Sequence, residues 1–321
     1  MCTHHHSVMD GWSWPVFLGE LFTSYRSGGN IEALERVTPY ADYLAWLAGR
    51  DTAAALGVWR DYLAGIAEPT RLVPARQLGA SPTVPERWEI DLPADLSARL
   101  QRLARERALT LNTLVQGLWA VLLGRLTGRD DVVFGITVAD RPAELAGVER
   151  MVGLLINTLP LRVRLRPEQP LAVLLAGIQE SQSRLLAHQH LGLAEIQQVA
   201  GTGELFDTLV AFENYPVERA ALTESLGSLR VVGIEGRDAT HYPLSLFVMP
   251  GERLSLRLDY DPARVTRETA EGLAARFVRL LEAGVARPEV PLHRVEVLGP
   301  EERHTLLEEF NATAQPLPEA T

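Results

Sequence analysis

From about residue 84 to residue 283 the apolar residues change period repeatedly, which rules out an all-helical or an all-strand fold. Leu96, Leu100 and Leu103 recur at helical spacing, and after Thr110 so do Leu111, Leu114, Val115, Leu118 and Leu122. Leu171, Leu174, Leu175 and Ile178 form a third stripe, and Leu273, Phe277 and Leu280 a fourth. Strand patterns lie between them. Leu161, Val163 and Leu165 alternate with Arg162, Arg164 and Arg166, and Leu254, Leu256, Leu258 and Tyr260 alternate with Ser255, Arg257 and Asp259. Each alternation predicts a half-buried strand with one solvated face. Val132 to Val138 and Leu209 to Phe212 read as more fully buried strands. The expected fold class is α/β (α+β, two-layer), a mixed sheet with packed helices. Strands near 229–234, 244–249 and 254–260 follow one another with short connections, so part of the sheet should be antiparallel.

Composition narrows the function. A chain of 321 residues can hold one large or two ordinary domains, and 46% hydrophobic with 22% charged residues is a globular balance. A net charge of −10 argues against nucleic acid or an anionic membrane as partner. All 31 basic residues other than histidine are arginine, the mark of a GC-rich and hence bacterial coding sequence. The single cysteine, Cys2, excludes a disulfide framework or a cysteine metal cluster. No apolar run approaches 18 residues and no secretory leader is visible, so a soluble, cytoplasmic protein is expected.

The chemistry sits in the first thirteen residues. His5-His6-Ser7-Val8-Met9-Asp10-Gly11 is followed by Trp12-Ser13 and by a helix expected over Pro15 to Tyr25. A histidine with an ordinary pKa near 6.5 is available around neutral pH to accept a proton or to orient an amine. A glycine at a helix start lets backbone N–H groups approach a developing oxyanion, aided by the helix dipole. Adjacent histidines converge poorly on one ion and no second ligand cluster appears, so no metal is expected from His4, His6 and Asp10.

This His-His-x-x-x-Asp-Gly pattern resembles the active-site signature of nonribosomal peptide synthetase condensation domains, relatives of chloramphenicol acetyltransferase. Tyr40-Ala41-Asp42-Tyr43-Leu44-Ala45-Trp46 is similar to the family's Tyr-x-Asp-Tyr-Ala-x-Trp motif, and Gly153 to Thr158 to its Gly-x-x-x-Asn-Thr motif. His188-Gln189 opens a third motif, and Arg237-Asp238 a late one ending in Pro243-Leu244. The resemblance implies that His6 is the catalytic or substrate-orienting residue, with His5, Asp10 and Gly11 shaping its loop. Trp12, Ser13, Tyr43, Trp46, Asn157, Thr158, His188, Gln189, Arg237 and Asp238 would then be channel or structural residues. Tyr43 and Trp46 read as core, and Asn157 as a buried hydrogen-bonding residue. The chain departs from the pattern in three places, the first being Leu44 where the tyrosine motif has alanine. His190 stands where the His-Gln motif has aspartate, with Gly192-Leu193 for Pro-Phe, and Ala139-Asp140 precedes Arg141-Pro142 where Ser-Gly is frequent.

The resemblance implies an amide-forming acyltransferase whose donor and acceptor thioesters ride on the phosphopantetheine arms of two peptidyl carrier domains. The cofactor therefore belongs to the partners. Alternatives are a non-catalytic docking platform, or an epimerizing or ester-forming relative. The motif lies mid-domain in the family, so the expectation is an N-terminally truncated domain lacking the arginine that pairs with Asp10, which would leave a costly unpaired carboxylate. The implied division is a remnant of the N-terminal lobe over 1–50, a helical connector over 51–83, a C-terminal acetyltransferase-like lobe over 84–297, and a linker toward an adenylation domain over 298–321.

Overall fold

The computed structural model describes residues 4–73, 83–214 and 240–313. Six strands build one mixed sheet: β1 (Glu86–Asp91), β2 (Asp131–Ala139), β3 (Ile156–Arg164), β4 (Thr208–Phe212), β5 (Leu244–Met249) and β6 (Ser255–Tyr260). Their spatial order is β1-β6-β5-β4-β2-β3. The β2/β3, β5/β6 and β1/β6 pairs are antiparallel, whereas β4 runs parallel to both β2 and β5. The mixed sheet and its late antiparallel part are as the periodicity predicts. The strand expected at 229–234 lies outside the described residues.

Helices α1 (Ser13–Arg26), α2 (Tyr40–Ala48) and α3 (Thr52–Leu63) precede the sheet, and α4 (Ala94–Glu106) and α5 (Leu111–Thr127) link β1 to β2. α6 (Leu171–Leu185) and α7 (Leu193–Ala200) lie between β3 and β4, and α8 (Arg267–Ala286) follows β6. The helix ends obey local chemistry. The Thr110 hydroxyl accepts the Thr113 N–H to cap α5, and Gly128 ends it at φ +66°, a left-handed conformation suited to glycine. α5 is buried on every side from Thr113 to Gly124, as a helix apolar around its whole circumference must be. Its Trp119 meets Phe277 of α8 edge to face at 5.6 Å, and both rings lie against Leu246, Leu256 and Leu258 of the sheet.

Two expectations, the solvated faces of β3 and β6, are corrected. The arginine row on β3 is not uniformly solvated: Arg162 is buried, donating to Asp131 and to the carbonyls of Tyr62 and Ala64. The C-terminal end of α3 covers that face, and its open carbonyls take the guanidinium. On β6, Arg257 and Asp259 are also buried, so neither face of that strand is open. Within the stretch expected as a linker, a short helix α9 (Pro300–His304) continues into a π-helical turn at Thr305–Glu309. Pro300 at its first position and two glutamates in its first turn favour that start, and Glu302 pairs with Arg276 of α8. No single helix among the described residues is long and apolar enough to cross a membrane.

Candidate active site

The histidine turn begins on the surface. His5 and His6 are exposed; the Val8 N–H donates to the His5 carbonyl, and the Ser7 N–H to His5 Nδ1 at 3.1 Å. The His4 ring lies edge-on to His6 at 5.9 Å and to Trp14 at 4.9 Å. Three residues after His6 the chain turns inward at Met9, and Asp10 is fully enclosed.

Asp10 is the anchor of the turn. Its Oδ1 accepts the Ser13 N–H at 2.9 Å, so Asp10 closes the turn through Gly11 and Trp12 that leads into α1. Its Oδ2 accepts the Leu155 N–H at 3.0 Å, while its own N–H donates to the Gly153 carbonyl at 3.0 Å. The Ser13 hydroxyl lies within hydrogen-bond distance of Asp10 Oδ1 and of the Gly153 carbonyl, and accepts the Gly153 N–H at 3.1 Å. Gly153 has to be glycine, because a Cβ there would overlap the Tyr40 ring.

The missing-arginine expectation is overturned. Arg141 Nη2 reaches Asp10 Oδ1 at 3.1 Å and Oδ2 at 3.3 Å, with side-chain exposures of 9% and 0%. The same guanidinium donates to the carbonyls of Val148 and Met151 and lies 5.9 Å from the Trp12 ring centre. The partner comes from 131 residues downstream, in the loop that follows β2. It escapes a search of the neighbouring sequence because the sheet, not the chain, brings it there. Charge-assisted bonds on both oxygens let the carboxylate stay buried.

The remaining motifs meet on the same seam. Tyr43 is buried and packs with Val148, Met151 and Leu155; its hydroxyl donates to Asp140 Oδ2 at 2.8 Å. Tyr40 donates to the Leu154 carbonyl at 2.8 Å. Trp46, half-buried, stacks on Tyr43 and donates to Glu144, while Arg50 lies 3.9 Å above its ring. Asn157 Nδ2 donates to the carbonyls of Gln189 at 2.8 Å and Leu191 at 2.6 Å, tying the His188–Gln189 loop to β3, and its Oδ1 accepts the Thr158 N–H. The His188 carbonyl also accepts from Trp59 Nε1. Burial raises the Asp140 carboxyl above the ordinary range against the Tyr43 hydrogen bond, and burial lowers the His190 imidazole. Arg237 and Asp238 lie outside the described residues. No group of three histidines, cysteines or acids able to hold a metal is present among the described residues.

The comparisons with known proteins agree with this geometry. The chain matches the Condensation domain family over residues 1–307. It is 40% identical to a linear gramicidin synthase of Brevibacillus parabrevis and 38% identical to chondramide synthase cmdD of Chondromyces crocatus, over 98% and 97% of this chain. It spans only 4% and 8% of those two proteins. The first condensation domain of the CDA synthetase superposes with a TM-score of 0.75 at 22% identity, over 92% of this chain and 66% of that one. The X-domain from teicoplanin biosynthesis superposes at 0.76, also at 22% identity, over 92% and 70%. A polar seam that gathers one family's motifs and a family match across almost the whole chain lead to one assignment: the chain belongs to the condensation domain family of nonribosomal peptide synthetases.

Proposed function

We propose that this chain forms amide bonds within a multidomain peptide synthetase. The amine of an acceptor aminoacyl thioester attacks the carbonyl of a donor acyl or peptidyl thioester. The C–N bond forms, the C–S bond breaks, and the donor carrier leaves as its thiol with the proton lost by the amine. Both substrates arrive on phosphopantetheine arms of peptidyl carrier domains, so this chain needs no resident cofactor, and an adenylation domain lies downstream. We place the reaction in the cytoplasm.

His6 is the residue that accepts the amine's proton or orients the amine for attack. The supporting observation is the locked base of its turn, where Asp10 is held at 3.1 Å by Arg141 and at 3.0 Å by the Leu155 N–H. A side chain on a turn so fixed can be presented without reorganisation. Gly11, in the turn that leads into α1, offers a backbone donor near the helix end whose dipole favours a developing oxyanion. In the full-length synthetase with loaded carriers, His6→Ala should lower amide formation by about 10²- to 10⁴-fold. An unchanged rate would overturn the assignment of His6. Intact carrier docking without any amide product in the unaltered protein would replace this function with a docking role.

A further inference from the structure

We propose that Tyr40 and Tyr43 of α2 are positioning residues, each hydroxyl holding the residue next to one of the two groups that anchor Asp10, and with it the histidine turn. The catalytic consequence rests on the function proposed above; the contacts themselves do not.

Three residues apart on one helix, the two tyrosines share a face, and their rings lie 5.6 Å apart. Tyr43 donates to Asp140 Oδ2 at 2.8 Å, and the next residue is Arg141, whose guanidinium reaches both Asp10 oxygens. Tyr40 donates to the Leu154 carbonyl at 2.8 Å, and the next residue is Leu155, whose N–H donates to Asp10 Oδ2 at 3.0 Å. The two sides are joined to each other, since the Asp140 N–H donates to the Leu155 carbonyl at 2.6 Å. One helix face therefore braces both sides of the cradle around Asp10. The bracing extends beyond the tyrosines. The Thr38 hydroxyl donates to the Ala146 carbonyl at 2.9 Å, and Trp46 and Arg50 both donate to Glu144.

Rings and hydroxyls contribute differently. The Tyr43 ring is buried with Val148, Met151 and Leu155, and the Tyr40 ring fills the space that a Cβ on Gly153 would need. Phenylalanine would keep both of those contacts. The hydroxyls add direction: apolar contact tolerates sliding, whereas each hydrogen bond fixes its acceptor at one place along the loop. The acceptor of Tyr43 is a feature of this chain. Glycine is frequent in the motif pattern at 140 and offers no side-chain oxygen, whereas Asp140 supplies one. A carboxylate also accepts a stronger bond than a neutral oxygen does.

The test combines Tyr43→Phe, Tyr40→Phe, Asp140→Ala and Asp140→Asn, read in two ways. In the full-length synthetase with loaded carriers, the single-turnover rate of amide formation is measured. In the purified 321-residue chain, hydrogen exchange of the Asp10 and Leu155 amides is measured. Each phenylalanine variant should lower the rate about tenfold, because the turn is presented less accurately. Asp140→Ala should match Tyr43→Phe, and the two together should fall no more than about twofold below either, since both remove one bond. Asp140→Asn keeps an acceptor oxygen for Tyr43 and should hold the rate within about threefold of the unaltered protein. Both amides should exchange about tenfold faster in Tyr40→Phe and in Tyr43→Phe. Unchanged exchange in either variant would overturn the role of that tyrosine, as would faster exchange with an unchanged rate. Rate effects of Tyr43→Phe and Asp140→Ala that multiply, or an Asp140→Asn rate as low as that of Asp140→Ala, would overturn the Tyr43 arm. If the unaltered synthetase makes no amide, the function proposed above fails, while exchange still decides whether the tyrosines hold the turn.

Discussion

Replacing Arg141 by methionine isolates the anchor of the histidine turn. Asp10 is 0% exposed and the Arg141 side chain 9%, so the substitution strands a carboxylate that water cannot reach. Removing one partner of a buried pair costs about 3–5 kcal/mol. The Leu155 and Ser13 N–H groups continue to donate to Asp10, which favours the lower end. The carbonyls of Val148 and Met151 lose their donor as well, at roughly 1 kcal/mol each, which pulls the figure back up. This energy falls on the docking of residues 4–50 against the loop between β2 and β3, because Asp10, Tyr43, Val148, Met151 and Leu155 sit at that contact. Native-state hydrogen exchange reads it locally. The Asp10 N–H donates to Gly153 and the Leu155 N–H to Asp10, so both bonds break when the segment opens. At 1.4 kcal/mol per decade, both amides should exchange roughly two to three and a half orders of magnitude faster in Arg141→Met, or lose protection altogether. Adding Asp10→Asn should give a total smaller than the sum of the single effects by about 1–3 kcal/mol. Exchange within about threefold of the unaltered chain would show that Arg141 does not hold the turn.

Two further outcomes follow from single contacts. Asn157→Ala loses two bonds to the 188–191 loop and should cost about 2 kcal/mol, whereas Asn157→Asp aims acceptors at two carbonyls and should cost more at neutral pH; urea unfolding that ranks them the other way would refute the donor role. Burial raises the Asp207 carboxyl above its ordinary range, against the hydrogen bonds it accepts from the Leu72 and Val73 N–H groups. A carboxyl raised on folding binds its proton more tightly in the folded state, so stability should decline as pH rises from the unfolded carboxyl range through the folded value. Asp207→Asn should remove that part of the decline, and melting curves that stay parallel to those of the unaltered chain would refute it.

Much of the framework is legible in the chain itself. Helical and alternating periods mark α1, α4, α5, α6, α8 and strands β2 to β6, because each period reports the one face or stripe that must leave water. β1 escapes that test: five of its six residues are exposed, and it is held by edge pairing to β6 rather than by an apolar face. The alternation on β3 and β6 correctly predicts strands but misjudges their polar rows, since only the packed structure shows what covers Arg162, Arg257 and Asp259.

The candidate site divides in the same way. The local order of Asp10, Gly11 and Trp12 favours a tight turn, because an aspartate side chain can accept a backbone N–H a few residues on, as Asp10 does from Ser13. Motif order points to the family, and the match over residues 1–307 bears it out. Local order does not identify the partner of Asp10 or that of Tyr43. Those pairings depend on the β2/β3 register, which sets Val138 opposite Asn157 and Ala139 opposite Ile156 and so carries Asp140 and Arg141 to the Gly153–Leu155 segment. A carboxylate buried from solvent needs a donor close in space, not in sequence, and only the closed sheet brings Arg141 to Asp10.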